Sequence, residues 1–277
     1  MYIINYNSET GEEKKIIPEF STFPDGQPHV KLPKLGLNSA TIHCSIRNPD
    51  ELFKFLMVAD VCFNLVPTQA NIYWLFGARM DRRIDLYQPS TFDLILNSLD
   101  TFSENIYLLD IHNPNVAFGY NHLDIKPIVD KTRNNFDPKC DIYFPDAGAE
   151  SRYKNLFDDS TNVLVGQKKR DSQTGKLSGF ELKEGQKGES DSILIVDDLI
   201  DAGGTFLGQF PVLKALGYER IALYTTHGLY TKGFDNFNEF DSLYYTNSFQ
   251  FWHDEHNTVL KLNIYTPSTR QENSIVL

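Results

Sequence analysis

The sequence has few cysteines, no long apolar run and no excess of positive charge, and each of these absences excludes a class of protein. Three cysteines in 277 residues, without a CxxC pair, argue against a disulfide scaffold and fit a reducing compartment. No stretch reaches the roughly 18 apolar residues of a membrane-spanning helix, and residues 1–15 lack a signal-peptide core. We therefore expect a soluble, cytoplasmic protein.

The balance of charge is acidic. A formal net charge of -11 repels polyphosphate at long range, so neither nucleic acid nor an anionic membrane is expected as the main partner. Any anionic substrate must be held by local groups, such as a few Arg or Lys side chains, backbone N–H groups and metal ions.

The apolar residues predict an α/β fold. Hydrophobic residues make up 41% of the chain, and they form strand-length runs at residues 106–109, 142–144, 163–165, 193–196 and 221–224. Continuous runs of this kind are typical of parallel strands that are buried on both faces. Segments with helical spacing alternate with them at residues 50–64, 89–99 and 205–216. This alternation predicts mostly parallel sheets flanked by helices, with ligands at the carboxyl ends of the strands.

Two polar stretches interrupt this pattern. The stretch at residues 132–139 suggests a boundary between an N-terminal domain, 1–130, and a C-terminal domain, 131–277. The stretch at residues 167–191 is rich in Lys, Gly, Ser and Glu, and it predicts a mobile surface loop.

The most informative motif is VDDLIDAGGT at residues 196–205, hereafter the VDDLIDAGGT segment. A buried strand would deliver the carboxylates of Asp197 and Asp198 to the sheet edge, where they can accept hydrogen bonds from neighbouring hydroxyls. Gly203, Gly204 and Thr205 open a helix, whose free N–H groups can hold a phosphate. The alternative is a plain strand-to-helix turn with surface acids and a Thr N-cap.

The VDDLIDAGGT segment resembles the phosphoribosyl-diphosphate (PRPP) motif of phosphoribosyltransferases and of ribose-phosphate pyrophosphokinases (PRPP synthetases). The expected ribose-phosphate-binding residues are then Asp197, Asp198, Asp201, Ala202, Gly203, Gly204 and Thr205. Segments in the first half of the chain favour the synthetases. The fold implied is two tandem phosphoribosyltransferase-like domains, with ATP on the N-terminal side.

Two N-terminal segments resemble the ATP-binding parts of the synthetases. FPDGQ at residues 23–27 resembles their adenine-pocket segment, and ARMDRR at residues 78–83 resembles a stretch that reaches adenine and triphosphate. Without the resemblance, the first is an ordinary turn and the second a solvated charge cluster. The implied ATP-binding residues are Phe23, Asp25, Gln27, Arg79, Asp81 and Arg82.

Two further segments imply a magnesium site. LDIH at residues 109–112 and PDAG at residues 145–148 each follow a predicted strand, and they resemble family motifs that place His112 and Asp146 near the metal of ATP. A lone His is more often a polar surface residue, and magnesium prefers oxygen ligands. For Asp146 the alternative to a metal role is a place in a simple turn. Arg152 completes the motif that begins at Pro145.

Lys168, Lys169 and Arg170 resemble the basic start of the family's catalytic flexible loop. The resemblance implies that Lys168 and Arg170 clamp the diphosphoryl group, and that Asp201 orients or deprotonates the attacking hydroxyl. A basic surface run is the plain alternative. The segment TTH at residues 225–227 also matches the family, and we interpret His227 as a packing residue.

The implied activity is Mg²⁺-dependent transfer of the β,γ-diphosphoryl group of ATP to ribose 5-phosphate, in a homo-oligomer that is at least a dimer. Ala202 stands where the family usually has Thr, whose hydroxyl contacts the terminal 5′-phosphate. An alanine cannot donate this hydrogen bond, and binding of the phosphate is weakened. ADP-ribose, whose ribose phosphate continues into a diphosphate, is the alternative acceptor and would place the protein in NAD⁺ resynthesis. A non-catalytic regulatory homologue and a phosphoribosyltransferase are the remaining alternatives.

Overall fold

The computed structural model describes residues 1–35, 38–170, 177–249, 258–261 and 274–276, with side chains for residues 1–35, 38–169 and 178–249. The chain divides into two compact units between Asp124 and Ile125. We call Met1–Asp124 unit 1 and the part that begins at Ile125 unit 2. None of the described helices has the length and apolarity that crossing a bilayer requires.

Unit 1 is built on a six-stranded sheet in the order β2-β1-β5-β6-β7-β8. The pairs from β5 to β8 are parallel, whereas β1 pairs antiparallel with β2 and β5. Strands β3 and β4 form a separate antiparallel hairpin. The strands are β1 Tyr2–Tyr6, β2 Glu13–Ile16, β3 Glu19–Thr22, β4 Pro28–Lys31, β5 Ser39–Ile46, β6 Thr68–Leu75, β7 Ile106–Leu109 and β8 Asn121–Leu123.

The helices of unit 1 begin where the sequence supplies caps. Helix α1, Pro49–Leu65, starts after Asn48, whose side chain accepts from the Glu51 N–H, and α2, Thr91–Leu99, starts after Ser90. Short 3₁₀ turns lie at Asp100–Asn105 and Pro114–Ala117. The buried side chains of α1 and α2 join those of the sheet in one apolar core.

Unit 2 contains, in its described residues, an eight-stranded sheet in the order β11-β10-β9-β12-β13-β14-β15-β16, in which β10 and β11 pair antiparallel and the other neighbours pair parallel. The strands are β9 Asp141–Phe144, β10 Val163–Arg170, β11 Leu177–Glu184, β12 Ser192–Ile200, β13 Arg220–Gly228, β14 Ser242–Thr246, β15 Thr258–Lys261 and β16 Ser274–Val276. The helices are α3 Lys126–Phe136, α4 Ala147–Tyr153 and α5 Gly204–Ala215, with 3₁₀ turns at Lys154–Leu156 and Asp235–Phe237. The α/β class and the two mostly parallel sheets are as predicted.

Helix α5 packs on the sheet of unit 2 through an aromatic core. Its buried residues Phe206, Phe210 and Leu213 meet Ile193 and Ile195 of β12, together with side chains from β9, β13 and β14. The core fixes α5 directly behind β12, so the turn that joins them lies at the carboxyl edge of the sheet.

Candidate active site

Two aspartates lie side by side near the end of β12. The sequence predicted a strand that stops at Val196, but the ladder with β13 continues through Asp197 and Leu199. Asp197 and Asp198 are therefore held by strand backbone, and their side chains are only 15% and 5% exposed. This places two nearly buried carboxylates at the edge of a parallel sheet, where such folds bind ligands.

Arg152 bridges the two carboxylates. Its Nη2 donates to Oδ1 of Asp197 and to Oδ1 of Asp198, each at 2.8 Å. Arg152 is 15% exposed and lies in the last turn of α4, beside the neighbouring strand β9. The sequence places Arg152 in a family motif but does not indicate this contact, because the partners are separated by more than 40 residues. A cation between two buried acids stabilises both in the ionised form.

The surroundings of the acid pair disfavour a negative charge on Asp197. Burial, and next the charge of Asp198, raise the pKa of Asp197 well above its ordinary value, while Arg152 opposes the rise. The Asp198 N–H also donates to Oδ1 of Asp197 at 2.9 Å. A carboxylate in this state gains from any ligand hydroxyl that donates to it, because the hydroxyl replaces lost water.

The VDDLIDAGGT segment turns into α5 at a left-handed glycine. Gly203 has φ +77°, and it is the N-cap residue without a side-chain hydrogen bond to the first turn. The alternative of a Thr N-cap is wrong, since Thr205 already lies within α5. A Cβ on Gly203 would lie 2.1 Å from Cζ of Phe237, whereas the space beside Gly204 is open. The start of α5 thus presents its N–H groups at an open surface, as an anion site requires.

Asp201 lies between the acid pair and this turn. Its Oδ1 accepts a hydrogen bond from the hydroxyl of Thr231, which orients the half-exposed carboxylate. Thr231 was not predicted, because it belongs to the connection that follows β13. The end of β12, the turn and the start of α5 thus contribute, in this order, Asp197 and Asp198, then Asp201, and then Gly203–Thr205. This is the order that the motif predicts.

Asp146 caps α4 at the end of β9. Its Oδ1 accepts from the N–H groups of Gly148 at 3.0 Å and Ala149 at 3.1 Å. The carboxylate therefore has a structural task that the sequence did not predict for it. A metal role would fall to its other oxygen, Oδ2.

The expected mobile loop at residues 167–191 is wrong for much of its length. Strands β10 and β11 form an antiparallel hairpin, hereafter the β10–β11 arm. Polar side chains join across it: Gln167 Nε2 donates to Oε1 of Glu181 at 2.8 Å, and Lys169 Nζ lies 3.7 Å from Oε2 of Glu181. These cross-strand contacts stabilise a polar segment that has no apolar core of its own.

The basic residues of the arm differ in their surroundings. Lys169 pairs with Glu181, whereas Lys168 is exposed and makes no hydrogen bond or ion pair with the described residues. The backbone of Arg170 ends β10, and its side chain lies outside the described residues. Lys168 is therefore the lysine of this pair whose charge is available to a ligand.

The FPDGQ segment forms the tip of the β3–β4 hairpin. The Phe23 N–H donates to the carbonyl of Gln27, and Oδ1 of Asp25 accepts from the Gln27 N–H at 3.0 Å. The ring of Phe23 is 50% exposed and lies 5.8 Å from that of His29. An exposed ring at a hairpin tip offers a stacking face, which suits a purine.

The ARMDRR segment follows β6 as an exposed connection to α2. Arg79 and Arg82 are exposed, while Oδ2 of Asp81 accepts from Asn113 at 2.7 Å. Asn113 adjoins His112, which is itself exposed after β7. The structure thus places Asp81 close to the chain around His112 within unit 1, as neighbouring strand ends of a parallel sheet require.

His227 is only 4% exposed near the end of β13, where its Nδ1 and the hydroxyl of Ser248 lie 2.8 Å apart. This burial agrees with the packing role that we infer for it from the sequence.

A groove of about 660 Å³ in unit 1 lies at the start of β5 and β6, and no charged side chain among the described residues lines it. That lining does not suit phosphate, so the groove is not the candidate site.

Comparison with known proteins shows which proteins the chain resembles. No family model matches the chain. Ribose-phosphate pyrophosphokinase from Pyrococcus furiosus is 27% identical over 241 residues, which cover 80% of this chain and 83% of that protein. The Pyrococcus abyssi enzyme is 26% identical, over 78% of this chain and 77% of its own length. The chain is thus similar to ribose-phosphate pyrophosphokinases over most of its own length and of theirs.

A solved structure has the same fold. The crystal structure of phosphoribosylpyrophosphate synthetase from Mycobacterium smegmatis superposes with a TM-score of 0.69, at 19% identity, over 89% of this chain and 86% of that one. The match covers most of both chains and shows that they share the fold.

The donor set suits a metal that arrives with a phosphate ligand. The described residues contain no group of three or more His, Cys, Asp or Glu that could hold an ion by themselves. Magnesium keeps several waters and commonly takes one or two carboxylates together with substrate phosphates. Asp146, with its Oδ2 beside a capped helix start, fits that requirement.

Proposed function

We propose that this chain transfers the β,γ-diphosphoryl group of ATP to the anomeric hydroxyl of ribose 5-phosphate, giving PRPP and AMP. The observation that carries the proposal is the Arg152-bridged pair Asp197–Asp198 immediately before the open, uncapped start of α5. One end of this connection suits a sugar diol and the other suits a phosphate, which are the two parts of a ribose phosphate.

The acceptor binds along the VDDLIDAGGT segment. Asp197 and Asp198 accept hydrogen bonds from the two ribose hydroxyls, and Arg152, which bridges them, opposes the rise in the pKa of Asp197. The phosphate lies on the N–H groups at Gly203, Gly204 and Thr205, where the helix dipole favours an anion.

Asp201 orients the attacking hydroxyl and takes its proton. Its carboxylate is fixed by Thr231 and lies between the diol site and the phosphate site. As the anomeric oxygen bonds to the β-phosphorus, the bond from that phosphorus to the α,β-bridging oxygen breaks. The electron pair leaves with AMP, so atoms and charges balance.

The cations compensate the charge that shifts in this step. Lys168, Arg170 and Arg79 bind the triphosphate and stabilise the transferring group. Phe23 stacks on the adenine, and the remaining ATP-binding residues of the proposal are Asp25, Gln27, Asp81 and Arg82. We propose His112 and Asp146 as the residues that would hold Mg²⁺, which would supply charge neutralisation on the phosphates.

ADP-ribose is a second candidate acceptor, and one observation favours it. Ala202 provides only a methyl group where the family usually has a Thr hydroxyl for a terminal phosphate monoester. The ribose phosphate of ADP-ribose continues into a diphosphate, so that hydroxyl is not required for it. With this acceptor the product would be ADP-ribose pyrophosphate, an intermediate suited to NAD⁺ resynthesis.

The test supplies ATP and Mg²⁺ with either ribose 5-phosphate or ADP-ribose, and measures AMP release and product mass. The proposal expects AMP in equal amount to a product heavier than ribose 5-phosphate by one diphosphoryl group. A higher kcat/KM with ADP-ribose would favour the second candidate, and an Ala202→Thr variant should then shift the preference toward ribose 5-phosphate. No AMP with either acceptor would refute both.

A further inference from the structure

One aromatic side chain fills the contact between the β10–β11 arm and α5. Phe180 lies on β11, and its ring occupies the space beside Gly208 in α5. A Cβ built on Gly208 would lie 2.1 Å from Cε2 and 2.4 Å from Cδ2 of that ring. Any larger residue at position 208 would displace the ring or the helix, so the two residues fit as a pair.

Close approach is the reason for a glycine at position 208. Gly208 lies inside α5 and is not among the residues with positive φ, so its backbone conformation does not require glycine. Glycine in a helix interior costs about 1 kcal/mol relative to alanine. The ring of Phe180 is therefore the structural reason to keep a residue that weakens the helix.

The strand register connects this contact to Lys168. Lys168 lies directly opposite Phe180 in the arm, and opposed residues of an antiparallel pair share a face. Leu182, two residues beyond Phe180 and on the same face, packs against the core that contains α5. Glu181 and its partners Gln167 and Lys169 occupy the other face. The face with the available lysine is thus the one that contacts α5.

We propose that docking of Phe180 on Gly208 sets the position of Lys168 relative to the amino-terminal end of α5, which makes Phe180 a positioning residue for diphosphoryl transfer. The proposal rests on the proposed function, because that function assigns Lys168 to the transferring group. Strand β10 pairs with β9 only over Val163–Val165, so the sheet alone does not fix the part that carries Lys168. The ring contact supplies the second anchor.

The test uses four full-length proteins: wild type, Gly208→Ala, Phe180→Ala and the double variant. Each is assayed for AMP release from ATP, Mg²⁺ and either acceptor, for hydrogen exchange of β11 amides and for thermal unfolding. We expect each single substitution to lower kcat by on the order of a hundredfold, with a smaller change in the KM for ATP. Exchange of β11 amides should be faster in all three variants.

The double variant separates docking from general damage. Both substitutions remove the same contact, so the double variant should be no less active than the worse single variant. It should also unfold at or above the temperature of Phe180→Ala, because alanine favours the helix once the ring is gone. The unfolding temperature of the double variant keeps the test valid if Gly208→Ala alone is unstable.

The proposal would be overturned if Gly208→Ala kept the kcat and the β11 amide exchange rates of the wild type. It would also be overturned if the fold loss of kcat in the double variant equalled the product of the two single losses. An inactive wild-type protein would refute the proposed function instead. In that case faster β11 exchange in the variants would still support the docking contact, and unchanged exchange would overturn it.

Discussion

At the scale of single residues, two adjacent lysines of the β10–β11 arm have different surroundings. Lys169 pairs with Glu181, while Lys168 makes no ion pair with the described residues and lies on the face toward α5. We predict that Lys168→Ala lowers kcat by on the order of a hundredfold and changes substrate KM values much less, because a fixed charge acts mainly on the transition state.

Lys169→Ala is the matched control, since it removes the same charge one position away on the opposite face of the arm. Steady-state kinetics of the two variants check the assignment. Equal losses of kcat would show that only net charge matters, and unchanged turnover in Lys168→Ala would remove it from the reaction.

Asp197 provides a prediction about pH. Burial and Asp198 raise its pKa in the folded protein, against the partial opposition of Arg152. A raised carboxyl pKa means that the folded state binds the proton more tightly than the unfolded state, so stability falls as pH rises through that pKa. Asp197→Asn should therefore unfold at a higher temperature than the wild type at neutral pH, although it should bind the acceptor more weakly.

This advantage should disappear below about pH 4, the ordinary range of an aspartate, where Asp197 is protonated in both states. Thermal unfolding at neutral and acidic pH measures the difference. A variant less stable than the wild type at neutral pH would show instead that the bond to Arg152 outweighs the cost of burial.

At the scale of elements, the turn between β12 and α5 depends on the backbone of Gly203. We predict that Gly203→Ala lowers the free energy of unfolding by at least about 1–2 kcal/mol, the cost of a left-handed conformation for an L-residue. The Cβ would also lie 2.1 Å from Phe237, which adds steric strain. Chemical denaturation measures the change.

Gly204→Ala is the control for stability. A Cβ on Gly204 meets open space, and its φ is not positive, so the free energy of unfolding should change little. If both variants lose the same stability, the turn geometry is not the cause. Both substitutions should raise the KM for the acceptor, because both lie under the phosphate of the proposed function.

The elements also show what could be predicted from the sequence. The run Ile106–Leu109 is a strand with those bounds, and the apolar runs inside β9, β12 and β13 mark buried strands, because burial on both faces leaves a local signal. Residues 163–165 at the start of β10 also form such a run, but the rest of the β10–β11 arm left no signal, since its stability comes from pairs such as Gln167–Glu181 that form only after the chain folds back. Asp197 was placed outside the strand for a related reason: the ladder with β13 extends beyond the apolar run.

The candidate site was predictable in its residues but not in its contacts. The VDDLIDAGGT segment specifies two acids, a third acid and a glycine turn in one connection, and the structure holds them in that arrangement. Arg152 and Thr231 reach this segment from other elements, and Asp146 acts as a helix cap. Such contacts depend on tertiary geometry, for which spacing along one segment gives no signal.

At the scale of the whole molecule, the chain is acidic, whereas the relatives that it resembles are named for ribose phosphates and their diphosphates. A net charge of -11 gives no general attraction for such anions. Binding must then come from local groups, and the structure offers the N–H groups at the start of α5 and the charge of Lys168. The attraction for an anionic ligand would therefore come from these individual groups and not from the net charge of the chain.

Diphosphoryl transfer can be observed directly by phosphorus NMR of a reaction mixture that contains this protein, ATP, Mg²⁺ and the preferred acceptor. We predict that the β- and γ-phosphorus atoms of ATP appear together as a diphosphate on the anomeric carbon of the sugar, in equal amount to AMP. Formation of ADP with a sugar monophosphate, or of ADP with orthophosphate, would contradict it.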